Sequence, residues 1–180
     1  LVRPKFWWKE RFLVARHTLR EGLITDAYRI AKEHDLDGNG DWVSGYAEAE
    51  WLAGWIALRF LEDPGVAKDH FENMFNAVKY PVSRARGAYW TARALSTMGD
   101  QDGAATWYRR AVRHPTTYYG QLAFARTRPG ASLEHLPQPE ASEEERQAFK
   151  ALELVAAVEA LGDAKAEDWL RPFILALDAR

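Results

Sequence analysis

Apolar residues recur every three or four positions along most of the chain, which is the spacing of one face of an α-helix. The segment from Gly45 to about Leu61 has apolar residues on more than one face, which indicates a helix covered on several sides. No segment alternates apolar and polar residues with the period of two that is typical of a strand. The pattern therefore predicts an all-α fold of about nine helices.

Proline, glycine and capping residues mark where these helices begin and end. Asp63-Pro64 supplies an N-cap followed by proline at the first helical position, and Gly99-Asp100 and Gly162-Asp163 each supply a stop followed by a cap. Ser142 and Glu145 have the spacing of a capping box. The predicted helices cover residues 4–21, 24–34, 45–61, 64–78, 81–98, 101–113, 117–126 and 142–161, with a last helix after Asp163.

One helix pair is repeated 37 residues later. A unit of this length holds two antiparallel helices, which bury their apolar faces by stacking on a similar neighbour. The repeat predicts a right-handed superhelix, or solenoid, of antiparallel helix pairs similar to a tetratricopeptide (TPR) array. The recurring residues are Ala57, Leu58, Asp63 and Ala67, which return as Ala94, Leu95, Asp100 and Ala104, and Phe71, which returns as Tyr108.

Prolines and a glycine interrupt the helical pattern once, between Pro129 and Pro139. We therefore predict a superhelical array over residues 1–128, a loop over 129–141 and a further helix pair over 142–180. The chain begins with leucine and its first five residues do not resemble a signal peptide, so we expect it to be a piece of a longer protein.

Charge and composition narrow the classes of function. The 24 basic and 26 acidic residues leave a net charge of −2, so no overall field attracts nucleic acid or an anionic membrane. No run approaches the roughly 20 apolar residues of a membrane-spanning helix. Cysteine is absent, which removes disulfides, thiolate metal sites and cysteine nucleophiles. We expect neither a nucleic-acid partner nor a membrane span.

One loop resembles half of a calcium site. Asp35, Asp37, Asn39 and Gly40 match the first ligands and the turning glycine of an EF-hand loop, but Tyr46 stands where the bidentate glutamate is needed. The sequence therefore favours a plain linker between helices. The five histidines are far apart and show no zinc spacing, and no phosphate-binding loop or nucleophile elbow occurs, so no metal, cofactor or catalytic residue is predicted.

Three blocks of sequence, in the same order, resemble the soluble lytic murein transglycosylases of bacteria. They span most of positions 5 to 125, whereas residues 142–180 match only as generic helices. The blocks are AEAEWLAGWIALRFL (47–61), YPVSRARGAYW with ARA (80–90 and 92–94, preceded by His70-Phe71) and TYYGQLA (117–123).

The resemblance implies an α-superhelical region that precedes a lysozyme-like catalytic domain. That domain cleaves peptidoglycan between N-acetylmuramic acid and N-acetylglucosamine and leaves a 1,6-anhydro sugar. Its catalytic glutamate, in a Glu-Ser segment followed by Gly-Leu-Met-Gln, acts as general acid and then as base. Neither motif occurs in this chain. The resemblance therefore implies a non-catalytic scaffold segment in the periplasm, with the catalytic domain beginning after Arg180.

Two groups of residues are candidates for interaction. Tyr118, Tyr119 and Gln121 are a possible seat for the catalytic domain, or they cap the array with hydroxyls directed to solvent. The second group, Arg84, Arg86 and Arg93 on one predicted helix with further arginines on the next, either faces muropeptide carboxylates or forms ion pairs with neighbouring helices.

Two other functions stay open at this level. The first is a TPR-like module that binds peptides in an unrelated pathway. Ala67 with Phe71 and Ala104 with Tyr108, each a small residue followed by an aromatic one, suit that family too. The second, a self-contained glycosidase with paired carboxylates, has no motif in its favour.

Overall fold

Ten α-helices and no strand form the regular structure of residues 3–132 and 140–178, which are the residues that the computed structural model describes. The all-α prediction is confirmed. The helices are α1 (Pro4–Arg20), α2 (Ile24–Lys32), α3 (Val43–Arg59), α4 (Pro64–Ala77), α5 (Pro81–Met98), α6 (Gln101–Val112), α7 (Tyr118–Thr127), α8 (Glu143–Lys150), α9 (Glu153–Asp163) and α10 (Glu167–Asp178). No described helix is both long and apolar enough to cross a membrane.

The extra helix arises because the predicted helix over 142–161 is two helices. The chain leaves helical geometry at Leu152, whose ψ of 132° is extended. The stop predicted at Gly162-Asp163 is also wrong, because both residues lie inside α9. The left-handed turn falls instead on Lys165, with a φ of 54°, and the Ala166 N–H donates to the carbonyl of Leu161 to close α9.

The other predicted caps are confirmed by hydrogen bonds. The Asp63 carboxylate accepts from the Val66 N–H, and Asp100 accepts from the Gly103 N–H at 2.8 Å, each at the start of its helix. At α8, Ser142 and Glu145 form the full capping box, with both side chain-to-backbone hydrogen bonds present. Local chemistry therefore sets the first turn of these helices.

The chain divides into two compact units, residues 1–133 and 134–180. In the first unit each helix packs on the next in sequence, and the odd-numbered helices α1, α3, α5 and α7 also contact one another in order. In the second unit α9 packs on both α8 and α10.

Small residues bring the helices of the first unit close together. Gly54 and Gly87 lie inside helices, where glycine costs about 1 kcal/mol relative to alanine. A Cβ at Gly54 would lie 2.7 Å from the Phe71 ring, and one at Gly87 would lie 3.1 Å from the Cα of Phe75. Close packing of α3 and α5 on α4 explains both glycines. The recurring alanines and aromatics of the repeat are buried alongside them: Ala67, Phe71, Ala104 and Tyr108.

Candidate functional site

A buried carboxylate joins three helices of the first unit. Glu50 on α3 is 5% exposed. It accepts hydrogen bonds from His34 Nε2 at 3.2 Å and from His70 Nδ1 at 2.7 Å, and the Asn73 amide lies 3.4 Å away. His34 follows α2, and His70 and Asn73 belong to α4. A buried charge is tolerated only where it is paired and hydrogen-bonded, and Glu50 meets that condition.

The hydrogen bonds around Glu50 show which ring nitrogens of its two histidine partners face it. The Leu36 N–H donates to His34 Nδ1 at 2.9 Å, so Nδ1 carries no proton and Nε2 is the donor to Glu50. On the other side His70 uses Nδ1 for Glu50 and Nε2 for the Tyr28 hydroxyl, at 3.0 Å. We call Tyr28, His34, Glu50 and His70 the Glu50 cluster.

The ionisation of this cluster follows from its partners. Burial alone would raise the pKa of Glu50, but the hydrogen bonds and the electrostatic interactions with His34 and His70 together outweigh it and lower that pKa to about 2. Burial, with help from Glu50, raises the pKa of Tyr46 to about 12, and burial with Asp63 and Glu50 also raises the pKa of Tyr28. At neutral pH the carboxylate is therefore ionised and both phenols are protonated.

A carboxylate, an imidazole and a hydroxyl in series are the parts of a nucleophile relay. The pKa of Tyr28 is raised, so this hydroxyl keeps its proton at neutral pH. Glu50 is unsuited to act as a general acid, because it carries no proton near neutral pH. The hydrogen bonds of the Glu50 cluster hold α2, α3 and α4 together.

The loop that resembles half of an EF-hand contains an internal hydrogen bond. The Asp37 carboxylate accepts the Asn39 N–H at 2.8 Å, which closes a local turn. The Tyr46 ring lies against Gly38, where a Cβ would be 3.1 Å from the ring. Within residues 3–132 and 140–178 no group of three His, Asp or Glu side chains is placed to hold a metal ion.

Arg86, one of the predicted interaction residues, lies where α3, α5 and α7 meet. Its guanidinium is 3.7 Å from the centre of the Trp51 ring. Burial lowers the pKa of Arg86, while Tyr119 and Glu48 act in the opposite direction. Glu48 in turn accepts the indole N–H of Trp8 at 2.8 Å. The arrangement draws on α1, α3, α5 and α7, and we call it the Arg86 strip: Trp8, Glu48, Trp51, Arg86 and Tyr119.

Two donors in the Arg86 strip have no acceptor. Arg86 Nε and the indole nitrogen of Trp51 are both buried without a hydrogen-bond partner in the described part of the chain. Leaving such donors unpaired is unfavourable, and each group in a native structure that lacks a partner requires an explanation.

Arg93 and Tyr118 extend the strip along α5 and α7. Arg93 donates to the Tyr89 hydroxyl at 3.3 Å, and the Tyr89 ring lies 5.5 Å from that of Tyr119. Tyr118 is 68% exposed and packs its ring edge to face on Tyr119, at 5.1 Å. Gln121 is also exposed. The structure therefore brings Arg86, Arg93, Tyr118 and Tyr119 together.

Arg84 lies apart from the other two arginines of α5. Its guanidinium is 4.1 Å from the centre of the Phe75 ring and donates to the Val78 carbonyl at 3.3 Å. Two residues along a helix separate Arg84 from Arg86 by about 200°, so they face different neighbours. Among the described residues none of Arg84, Arg86 and Arg93 pairs with a carboxylate, and each lies over an aromatic ring.

Comparison with protein-family models, curated proteins and solved structures finds no match for this chain. The case for a function therefore rests on its own residues and their contacts.

Proposed function

We propose that this chain is a non-catalytic scaffold segment of a bacterial peptidoglycan lytic transglycosylase. In this proposal the parent protein acts in the periplasm, where a lysozyme-like domain after Arg180 cleaves the bond between N-acetylmuramic acid and N-acetylglucosamine. The helix pairs of the first unit form a right-handed, TPR-like superhelix that positions this domain and offers a surface to glycan strands.

One observation carries the proposal. Each of the three sequence blocks that resemble the transglycosylases contributes a residue to the Arg86 strip: Trp51 from the first, Arg86 from the second and Tyr119 from the third. One residue from each block therefore meets the others at one packed location. Such convergence supports a common architecture, because residues far apart in sequence must then be compatible with one another.

The chemistry of the strip suits a glycan that carries acidic peptides. Aromatic rings offer large flat surfaces, and a guanidinium held over a ring keeps its charge available for carboxylates. The unpaired donors of Arg86 and Trp51 add capacity for sugar or peptide oxygens once side chains at the strip adjust. Tyr118, exposed at the start of α7, extends the aromatic surface outward.

The Glu50 cluster is consistent with a scaffold role. Glycosidic bond cleavage needs a carboxylic acid that is protonated at working pH. Glu50 is ionised and held by two histidines, so it serves the packing of the helices.

The experiment pairs binding with activity. The purified chain is incubated with peptidoglycan sacculi, pelleted with them, and the supernatant is analysed for anhydro-muropeptides. We expect co-sedimentation without product, and weaker co-sedimentation of Tyr118→Ala. Tyr80→Ala is the matched control, since Tyr80 is 79% exposed, whereas Tyr118 packs on Tyr119 of the strip. Product above a control without protein, or equal binding by both variants, would contradict the proposal.

A TPR-like peptide-binding module in an unrelated pathway is the second candidate. Its support is the burial of the recurring residues Ala67, Phe71, Ala104 and Tyr108, which any stacked helix-pair array shares. The reading frame beyond Arg180 separates the two. A Glu-Ser segment followed by Gly-Leu-Met-Gln favours the transglycosylase, and a different continuation favours the module.

A further inference from the structure

A cavity of about 1030 Å³ beside α6 and α7 is surrounded by arginine. It shares no lining residue with the Arg86 strip, so what it binds is independent of the proposed function. Five guanidinium groups lie on its walls, from Arg109, Arg110, Arg113, Arg126 and Arg128, and none of the described residues that line it is an aspartate or glutamate.

The described residues around this cavity carry mainly positive charge. Residues 81–133 contain eight arginines and two aspartates, a net charge of +6, although the whole chain carries −2. One of the two, Asp100, is occupied as the N-cap of α6. Among the described residues none of the five cavity arginines pairs with a carboxylate. Like charges gathered around one cavity repel one another, and an anionic ligand relieves that repulsion.

The contacts of these arginines with described residues are contacts with uncharged groups. Arg109 donates to the Thr106 hydroxyl at 2.9 Å. Arg110 lies 4.1 Å from the centre of the Trp107 ring, and Arg128 lies 5.2 Å from that of Phe124. Arginine stacked on a ring keeps a planar fork of donors that fits oxyanions in bidentate fashion.

Tyr108 adds a neutral donor to the same cavity. The residue lines the cavity and is 7% exposed, and its hydroxyl has no hydrogen-bond partner among the described residues. Burial raises the pKa of Tyr108, against the opposing effects of Ser96 and Arg126, so the hydroxyl keeps its proton at neutral pH. A ligand oxygen that enters between the arginine side chains supplies the acceptor that this hydroxyl lacks.

We propose that this cavity binds a ligand that carries a diphosphate or a comparable cluster of phosphate groups. A phosphate group carries up to two negative charges on three strong acceptor oxygens, whereas a carboxylate carries one charge on two. Linked phosphates therefore neutralise several guanidinium groups within one cavity, and their oxygens match the arginine forks. The Tyr108 hydroxyl donates to one of these oxygens.

The test measures binding of inorganic pyrophosphate to the full chain by titration calorimetry at low salt. We expect saturable binding that weakens at least tenfold in the double variant Arg113→Gln/Arg126→Gln. Both side chains are exposed, so the variant keeps its fold, which circular dichroism verifies. The control Arg20→Gln/Arg59→Gln removes the same charge from exposed arginines outside the cavity and should leave the affinity unchanged.

Two further measurements sharpen the test. Tyr108→Phe should weaken pyrophosphate binding severalfold without lowering the melting temperature, and an unchanged affinity would remove the hydroxyl from the site. Citrate, a carboxylate ligand of comparable charge, should bind more weakly than pyrophosphate. The proposal is overturned if pyrophosphate does not bind saturably or if the control variant loses as much affinity as the cavity variant. It is also overturned if citrate binds as tightly as pyrophosphate.

Discussion

Replacing the buried carboxylate by an amide, Glu50→Gln, isolates the part of the stability that depends on ionisation of this residue. The amide oxygen can accept from His34 Nε2, as the carboxylate does. The amide nitrogen then faces His70, whose Nδ1 becomes the acceptor while its proton moves to Nε2, toward the oxygen of Tyr28. The variant keeps the size of the residue and both histidine partners, loses the long contact with the Asn73 amide, and has no charge to titrate.

The pKa of Glu50 sets the size of the effect. It is about 2 in the folded chain, compared with an ordinary value of 4.5. At about 1.4 kcal/mol per pH unit, the difference corresponds to roughly 3 kcal/mol of stability. Because the folded pKa is the lower one, this stability is complete above the unfolded pKa and is lost as the pH falls from 4.5 toward 2. About 2 kcal/mol of it should be gone at pH 3.

Urea unfolding followed by tryptophan fluorescence measures this loss. Seven of the eight tryptophans precede residue 108, so the signal reports on the first unit, which contains Glu50. Between pH 7 and pH 3 the unfolding free energy of the original chain should fall by about 2 kcal/mol more than that of Glu50→Gln. All other carboxylates are common to both proteins and cancel. If both proteins lose the same stability, the folded pKa of Glu50 is not lowered and the reasoning fails.

Three smaller changes test other contacts. Gly87→Ala gains about 1 kcal/mol of helix propensity but places a methyl group 3.1 Å from the Phe75 backbone, so thermal unfolding should show a net loss of about 1–2 kcal/mol. Gly162→Ala, with no atom within 4 Å of the added Cβ, is the control and should not destabilise; equal losses would contradict the packing argument. Tyr28→Phe removes the hydroxyl that bonds an imidazole of the Glu50 cluster and should cost about 1 kcal/mol in urea unfolding at pH 7, whereas no change would show that this hydrogen bond does not contribute. Ser142→Ala removes one half of the capping box and should lower the free energy of opening of α8, measured by hydrogen exchange, by about 1 kcal/mol. Unaltered exchange at α8 would contradict the stabilising role of the cap.

Sequence alone predicted the helices of the first unit because their limits depend on neighbouring residues. Asp63 and Asp100 cap helices that begin at the next residue, and Gly99 adopts the left-handed turn, φ 88°, that its position after a helix indicates. The same reasoning failed at Gly162, which has the right neighbours but lies inside α9. A glycine followed by aspartate permits a helix to end, but the packing of the helix decides whether it does.

The Glu50 cluster was missed because its members are distant in sequence. The histidine spacing typical of a site places both rings on one helix, whereas His34 and His70 lie 36 residues apart on either side of Glu50. One signal was present in the sequence: a glutamate in α3, a helix with apolar residues on more than one face. The arginine cavity was also only partly indicated, because the sequence placed Arg109, Arg110 and Arg113 on one helix but could not bring Arg126 and Arg128 to the same space.

The hydrogen bond from the Leu36 amide to His34 ties a loop to the interior of the first unit. Both nitrogens of that imidazole are engaged, one by the loop and one by Glu50, so neither contact can open without weakening the other. The Leu36 amide should therefore exchange with deuterium at the pace of the surrounding helices, although it lies outside any of them. A loop rich in turn-forming residues is thereby as resistant to local opening as the helices around it.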